Sequence, residues 1–173
     1  MLDAINSSTH PGLFRYRPAC WMRVAGSDAA TFLQGQFTND LRGLESRPAV
    51  YGLWLNVKGK VLADSFVLRG REPGTFWIGS YHSPAALIRE RLESFVIADD
   101  VTLEDETANW AAVSVMGAEA AARLAGVPEA EGFVFPGRRV ATDGLEWVYP
   151  IAAESAVTAR LAGLPELTPD DLA

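Results

Sequence analysis

Cysteine, histidine and long apolar runs are scarce in this chain of 173 residues. Its single cysteine, Cys20, excludes an internal disulfide and cannot build a metal site alone. The only histidines are His10, in the polar N-terminal stretch, and His82, just ahead of a helix start. Both read as surface residues, and without a Gly-x-Ser-x-Gly segment no nucleophilic triad is visible. No Cys/His/Asp spacing suits zinc or an iron–sulfur cluster, so no metal is expected. There is no Gly-x-Gly-x-x-Gly and no P-loop. No apolar run approaches the roughly 20 residues of a membrane span. The stretch from Met1 to Pro11 has no basic segment followed by an apolar one, as a signal peptide would. A cytoplasmic location and no membrane partner are the resulting expectations. Positive charge is short as well: 15 Lys and Arg face 22 Asp and Glu, for a net charge of −7. The basic residues form no stripe, which disfavours nucleic acid as a partner.

What the chain does have is apolar content, 49%, enough to core one domain or two small fused subdomains. Cys20 to Val24 reads as a strand, and Gly26-Ser27-Asp28 opens a helix with Ser27 as N-cap. Ala49 to Asn56 is strand-like, with Tyr51, Leu53 and Leu55 alternating on one face. Lys58-Gly59-Lys60 turns the chain into a return strand, Val61 to Arg69, and Glu72-Pro73-Gly74 turns it again into Thr75 to Ser80. Ser83-Pro84 starts a helix that buries Leu87, Ile88, Leu92 and Phe95, and Val101 to Glu104 is a short strand. Strand, helix, three-strand meander, helix, strand is a ferredoxin-like (split βαβ) unit with one extra strand.

The order then begins again. Trp110 to Met116 is a strand, and Ala118 to Ala125 is an Ala-rich helix closed by Gly126. Arg138 to Thr142 and Leu145 to Tyr149 are strands around the hairpin signal Asp143-Gly144, and Ala153 to Leu161 is a helix. A shared signature joins the halves. Val24-Ala25-Gly26-Ser27-Asp28-Ala29-Ala30 followed by Leu33 matches Val115-Met116-Gly117-Ala118-Glu119-Ala120-Ala121 followed by Leu124. The spacing is identical, so an internal duplication is the reading taken. The fold expected is α+β, with one ferredoxin-like subdomain over 1–106 and a second over 107–173. The second is incomplete, because Thr168-Pro169-Asp170-Asp171 starts a helix where a last strand is due. A missing strand leaves an unpaired sheet edge, and either self-association through it or reduced stability is expected unless the edge is covered.

Gln34, Gln36, Thr38, Asn39 and Asp40 follow the apolar pair Phe32-Leu33. Such a polar run suits a turn that caps a pocket, and equally a plain polar loop. Here the sequence resembles a known family. Phe32-Leu33-Gln34-Gly35-Gln36, Thr38-Asn39-Asp40 and Val57-Lys58-Gly59-Lys60-Val61-Leu62-Ala63-Asp64 resemble the N-terminal domain of YgfZ-type folate-binding proteins. More distantly they resemble the aminomethyltransferase (T-protein) of glycine cleavage. The likeness runs weakly on through Val115-Met116-Gly117 and Asp143 to Pro150.

The resemblance implies two ferredoxin-like subdomains related by a pseudo-twofold, and a reduced-folate (tetrahydrofolate) pocket between them. It implies that Glu146 grips the pterin edge, a role a carboxylate can fill by accepting two parallel N–H bonds. Asn56 and Lys58 match the turn of the family's hairpin, and Asp64 its acidic position. Gln34, Asn39 and Asp40 form the pocket loop. Tyr51 and Trp54 offer aromatic faces to the ring or pack the core. No catalytic residue is assigned. Aminomethyltransferases carry two consecutive acids where this chain has Ala63 and then Asp64, which speaks against aminomethyl transfer. The family's late Lys-Gly-Cys-Tyr-x-Gly-Gln-Glu motif and its C-terminal barrel are absent, and Cys20 stands in no such context. The function implied is that of a folate-binding accessory protein for iron–sulfur cluster assembly or repair and tRNA modification, with iron–sulfur proteins as partners. The alternatives are a one-carbon transferase and a non-catalytic subunit that pairs with a partner.

Overall fold

The strand Cys20–Ala25 owes its central place to a near-continuous apolar run, Cys-Trp-Met before Arg23 and Val24, that leaves both faces covered. The structure, a computed structural model, describes residues 11–139 and 144–172. In chain order its elements are β1 (Gly12–Tyr16), β2 (Cys20–Ala25), α1 (Ala29–Gln36), β3 (Ala49–Leu55), β4 (Val61–Arg69), β5 (Thr75–Ser80), α2 (Ala85–Glu93), β6 (Thr102–Asp105), β7 (Trp110–Met116), α3 (Ala118–Ala122), β8 (Phe133–Pro136), β9 (Gly144–Pro150) and α4 (Glu154–Arg160). They fall into two compact units. One is Arg17–Trp110, and the other joins the described residues of Met1–Tyr16 and Ala111–Ala173.

The first unit is a five-stranded sheet in the order β3-β4-β5-β2-β6. Without the edge strand β3 this is the ferredoxin-like order, and β3 is the extra strand read from the sequence. β2 runs antiparallel to both β5 and β6, as the corresponding strands of a split βαβ unit do. Helices α1 and α2 contribute Ala29, Phe32, Leu33, Ala85, Ile88 and Leu92 to a core with Met22, Val24, Trp54 and Ile78. Burial at 85, 88 and 92 is helix-periodic. Leu87, expected in the core, falls between those positions and is exposed.

On β3 Tyr51, Leu53 and Leu55 share one face, as expected, and it is the half-buried one, while the core side is Val50, Gly52 and Trp54. Both sets are apolar, so alternation alone does not tell which faces the helices. Neither Ser27 nor Ser83 caps a helix: the N-caps are Asp28 and Pro84, with no side-chain cap bond. Ser27 Oγ instead donates to Asp100 Oδ2 at 2.8 Å, and the Asp100 backbone N–H donates to Asp28 Oδ2 at 2.8 Å. Ser83 is taken by Asp64, as described below.

The second unit has a four-stranded sheet in the order β1-β7-β9-β8. Here the expectation of a missing strand is corrected. In the first unit β6 flanks β2 on the side away from β5, and β1 occupies the matching position beside β7, also antiparallel, from Gly12↔Met116 to Tyr16↔Ala112. The edge expected to be open is filled by a strand that precedes the first unit in sequence. β1 is flanked in turn by residues 165–167: Leu13 N–H donates to Pro165 O at 2.9 Å and Leu167 N–H to Leu13 O at 2.7 Å. Gly12 is needed there, since a Cβ would sit 2.6 Å from Pro165 O. Pro169–Leu172 then forms a 3-10 turn, with Thr168 Oγ1 and N–H both donating to Asp171 Oδ2.

The strand pairing with β9 is β8, in register Phe135↔Glu146, rather than the expected Arg138 to Thr142. The remainder of that expected hairpin, residues 140–143, lies outside the described residues, as does His10. Helix α3 ends at Ala122, short of Ala125, and Gly126 turns the chain at φ +68°.

Four positions of the duplicated signature do the same work in both units. Val24 and Val115 are buried in β2 and β7. Gly26 and Gly117 follow with φ of +143° and +92°, conformations open chiefly to glycine. Ala29 and Ala120 are the buried contacts of α1 and α3, and Leu33 and Leu124 close the pattern in the two cores.

Candidate functional site

The polar residues singled out in the sequence separate into those that hold the fold and those that present chemistry. Gln34 Oε1 accepts from Leu41 N–H at 2.8 Å. Thr38 N–H donates to Leu53 O at 3.2 Å, and its Oγ1 accepts from Leu53 N–H at 2.8 Å. Asn39 Nδ2 donates to Tyr51 O at 3.0 Å. These bonds cover the outer edge of β3, a place where open N–H and C=O groups invite foreign strands. Asp40 caps the 3-10 turn Leu41–Glu45 and grips Arg42, with Nη2 at 2.7 Å. Hydrogen bonds with Arg42 hold its carboxyl below the usual aspartate range. All three pocket-loop candidates are thus engaged in local structure.

Asn56 acts similarly in the hairpin. Its Oδ1 accepts from the N–H groups of Lys58 and Lys60 at 2.9 and 3.0 Å, an Asx turn completed by Gly59 at φ +75°. Lys58 is exposed at the tip. Of the two places open to Trp54, ligand face or core, it occupies the core. It is 0% exposed, its Nε1 donates to Ser65 Oγ at 2.9 Å, and its ring packs 4.8 Å from that of Phe37.

Asp64 is the residue where the first unit gathers polar groups. Ser83 Oγ donates to Oδ1 at 2.6 Å, Tyr51 Oη to Oδ2 at 2.8 Å, and Ser80 Oγ approaches Oδ1 at 3.4 Å. The Asp64 N–H also donates to Ser83 Oγ, at 3.1 Å. Partial burial pushes this carboxyl up, but the hydroxyls of Ser83, Tyr51 and Ser80 and a backbone bond together outweigh it and hold it below the usual aspartate range. A carboxylate has about four acceptor sites. Three donors, one of them distant, leave room for a further N–H.

The second unit carries a comparable cluster around Glu146. Tyr16 Oη and Ser114 Oγ donate to Oε2 at 2.8 and 2.7 Å. Arg139 Nε donates to Ser114 Oγ at 2.9 Å, and its guanidinium lies 4.4 Å from the Tyr16 ring centroid. Gly137 borders Oε1, where any side chain would collide. Glu146 is 1% exposed. Trp147, beside it in sequence, is also fully buried, with Nε1 on Glu131 O at 3.2 Å.

Ser80, Ser83, Tyr16, Ser114 and Arg139 were not among the site residues read from the sequence. Ser83 carried a signal for a helix cap, which masked its role. Ser114, a lone hydroxyl within the buried run Trp110–Met116, was a signal that could have been used. Tyr16 stands in a strand that periodicity did not reveal.

The GCVT N-terminal domain family matches residues 6–137, most of the chain. The chain belongs to that family. An uncharacterized protein of Aquifex aeolicus is 30% identical over 94 residues, covering 54% of this chain and 61% of the relative. The crystal structure of glycine cleavage system aminomethyltransferase T from Bartonella henselae aligns at a TM-score of 0.68 and 21% identity, over 90% of this chain and 46% of that one. This chain therefore spans about half to three-fifths of the length of those proteins, and the structural likeness is one of fold.

Within this GCVT N-terminal domain, the Ala63 and Asp64 pair takes on a different meaning. Ala63 opposes Trp54 and is 4% exposed in the helix-backed core, while Asp64 opposes Leu53 on the other face. An acid at 63 would point into that core. Ala63 therefore does not speak against transfer chemistry, because Asp64 is the carboxylate on the accessible face. Cys20 is not a surrogate for a reactive cysteine. Burial first, and the charge of Asp105 second, push its thiol up to about 12. Among the described residues no group of His, Cys, Asp and Glu could hold a metal, and no helix is long and apolar enough to cross a membrane.

Proposed function

We propose that this GCVT N-terminal domain binds a reduced folate, with Asp64 as the group that accepts N–H bonds from the ligand. The observation carrying this reading is the Asp64 cluster. Three hydroxyls fix the carboxylate and keep it ionised, yet its acceptor capacity is not exhausted. Those properties suit a pterin, whose amide and amino N–H groups seek an anionic acceptor. Tyr51, half-buried with its hydroxyl on Asp64, is the aromatic residue placed to lie near such a ring. Glu146, enclosed by Tyr16 and Ser114, serves as an internal support for β1, β7 and β9 in this reading.

The role proposed is accessory, of the YgfZ type, in the upkeep of iron–sulfur proteins in the cytoplasm. One-carbon transfer is a second reading, favoured by the ionised state of Asp64, since a general base must be deprotonated and within hydrogen-bond reach of the reacting nitrogen. Calorimetric titration of the chain with 5-formyltetrahydrofolate, anaerobically, tests the binding. Saturable heat that Asp64→Asn abolishes and Glu146→Gln preserves is the expected result. Heat unchanged in Asp64→Asn would remove Asp64 from the site. Formaldehyde release or aminomethyl turnover with tetrahydrofolate would decide for the transferase.

A further inference from the structure

The only lysines of the chain, Lys58 and Lys60, both stand exposed at the tip of the β3–β4 hairpin. The tip is held in one shape. Asn56 Oδ1 accepts from both lysine N–H groups, and Asn56 N–H donates to Lys60 O at 2.9 Å. Beside the lysines Val57 is 87% exposed, and Val61 and Leu62 are exposed as well. A cleft of about 330 Å³ separates this tip from the C-terminal half of α2, and Val57, Leu62, Leu87 and Phe95 give it an apolar lining. Leu87 is exposed on the α2 side. Single apolar side chains in water are ordinary, but neighbouring ones on a rigid turn and a facing helix mark a contact surface.

The charges around this surface are segregated. The hairpin side carries Lys58 and Lys60. The α2 side carries Glu90, which is exposed and lines the cleft. Its neighbour Arg91 is turned toward β3, with Nε donating to Leu55 O at 2.7 Å and its guanidinium 3.8 Å from the Phe95 ring centroid. The next acid on the helix, Glu93, is paired with Arg89 at 2.7 Å. Among the described residues, neither Glu90 nor either lysine belongs to an ion pair. The surface thus presents two unpaired cations, an apolar strip and an unpaired acid.

We infer that this surface pairs with its own copy on a second chain, related by a twofold axis. A twofold sets a patch against itself turned round, so that each residue meets its counterpart's partner in both directions. Cations at one end, an acid at the other and apolar side chains between are made complementary by that operation. Lys58 and Lys60 of each chain face Glu90 of the partner subunit, and the two apolar strips cover each other. Net charge argues the same way. A chain of net charge −7 repels its copy at long range, so a self-contact needs cations at its centre, and both lysines are there. Confined to one hairpin tip and half a helix, the contact is smaller than a standard interface of roughly 1,600 Å², so the dimer is weak, with a dissociation constant on the order of 10–100 µM. It is separate from the β7 edge that β1 covers. It is also independent of the folate reading, since Asp64 and its hydroxyl donors do not line the cleft.

The test is sedimentation equilibrium of the full 173-residue chain over about 5–500 µM, a range that brackets that constant. The unaltered chain should pass from monomer toward dimer, and amide shifts at Val57, Leu62, Leu87 and Phe95 should move together with concentration. Glu90→Lys should weaken association by about tenfold or more, although it brings the net charge nearer zero. Lys58→Glu combined with Lys60→Glu should weaken it as well. An equal mixture of the two altered chains should recover association as a heterodimer, because each reversed end then meets its opposite. Neither a general effect of net charge nor a folding defect produces that recovery. A chain that stays monomeric throughout, concentration-dependent shifts that spare these four residues, or a mixture no more associated than its components would overturn the assignment. The monomeric outcome would leave the surface to a partner of different sequence.

Discussion

Ser83 Oγ stands 2.6 Å from Asp64 Oδ1, and this bond ties the start of α2 to β4. The hydroxyls around Asp64 stabilise its charged form, so its folded pKa lies below the unfolded value of about 3.9. A depressed carboxylate contributes stability that is fully present above that value and is lost as pH falls through the folded pKa. Asp64→Asn has no such charge to lose. The stability gap between the unaltered chain and Asp64→Asn, measured by urea denaturation, should be constant above about pH 5 and shrink below about pH 4. A gap that stays level into acid would show that the hydroxyls do not favour the ionised form.

The placement of β1 yields a prediction about assembly. Leu13 is buried in the second core, and β1 covers the edge of β7. Leu13→Ala should cost about 2–4 kcal/mol in chemical denaturation, the usual range for a buried leucine truncation. Removing residues 1–16 should expose the β7 edge and produce concentration-dependent association in sedimentation, with the intact chain sedimenting as a smaller species at equal concentration. A truncated chain that remains monomeric with protected β7 amides would mean that β1 is dispensable as an edge cover.

These two sites also show where the sequence was legible and where it was not. The duplicated Val–Gly–acid–Ala–Leu signature was readable because each residue serves a local need: a buried strand end, a positive-φ turn, a helix start. The extra strand β3 was readable because turn chemistry at Asn56 to Lys60 is local. β1 was not, since Gly-Leu-Phe-Arg-Tyr has no clear alternation, and its partner lies about a hundred residues away. The parity of β3 was hidden because both faces are apolar. Ser83, Ser114 and Tyr16 could not be assigned to carboxylates from spacing, because 19, 32 and 130 residues of chain separate the partners. The motif that revealed the family, Gln34 to Asp40, proved to be largely the edge cover of β3.

The state of Cys20 is directly measurable. Its thiol is buried, with Sγ 3.6 Å from Ile78 O, and burial followed by the Asp105 charge pushes its pKa to about 12. The thiolate is the reactive form, so at neutral pH the folded chain should not react with a disulfide reagent over hours, while the denaturant-unfolded chain should release one equivalent at once. Rapid reaction of the native protein would show that β2 opens locally.

The contact of the Thr38 loop with β3 depends on a glycine. A Cβ at Gly52 would lie 2.7 Å from the edge of the Phe37 ring and 3.2 Å from Thr38 Oγ1. Phe37 is packed against the buried Trp54, so the ring cannot withdraw without disturbing the core. Gly52→Ala should therefore push the loop off the strand and destabilise the unit by about 1–3 kcal/mol, as overpacking does. Thr38→Val removes the acceptor for Leu53 N–H and should cost about 1 kcal/mol. If both act by detaching the same edge, the double variant will lose less than the sum, since residues sharing a contact couple. Amide exchange at Leu53 should quicken in each single variant and not further in the double. Strict additivity in stability, with Leu53 exchange unchanged in Gly52→Ala, would show that the glycine is needed for packing against Phe37 alone and that the hydrogen-bonded edge survives without it.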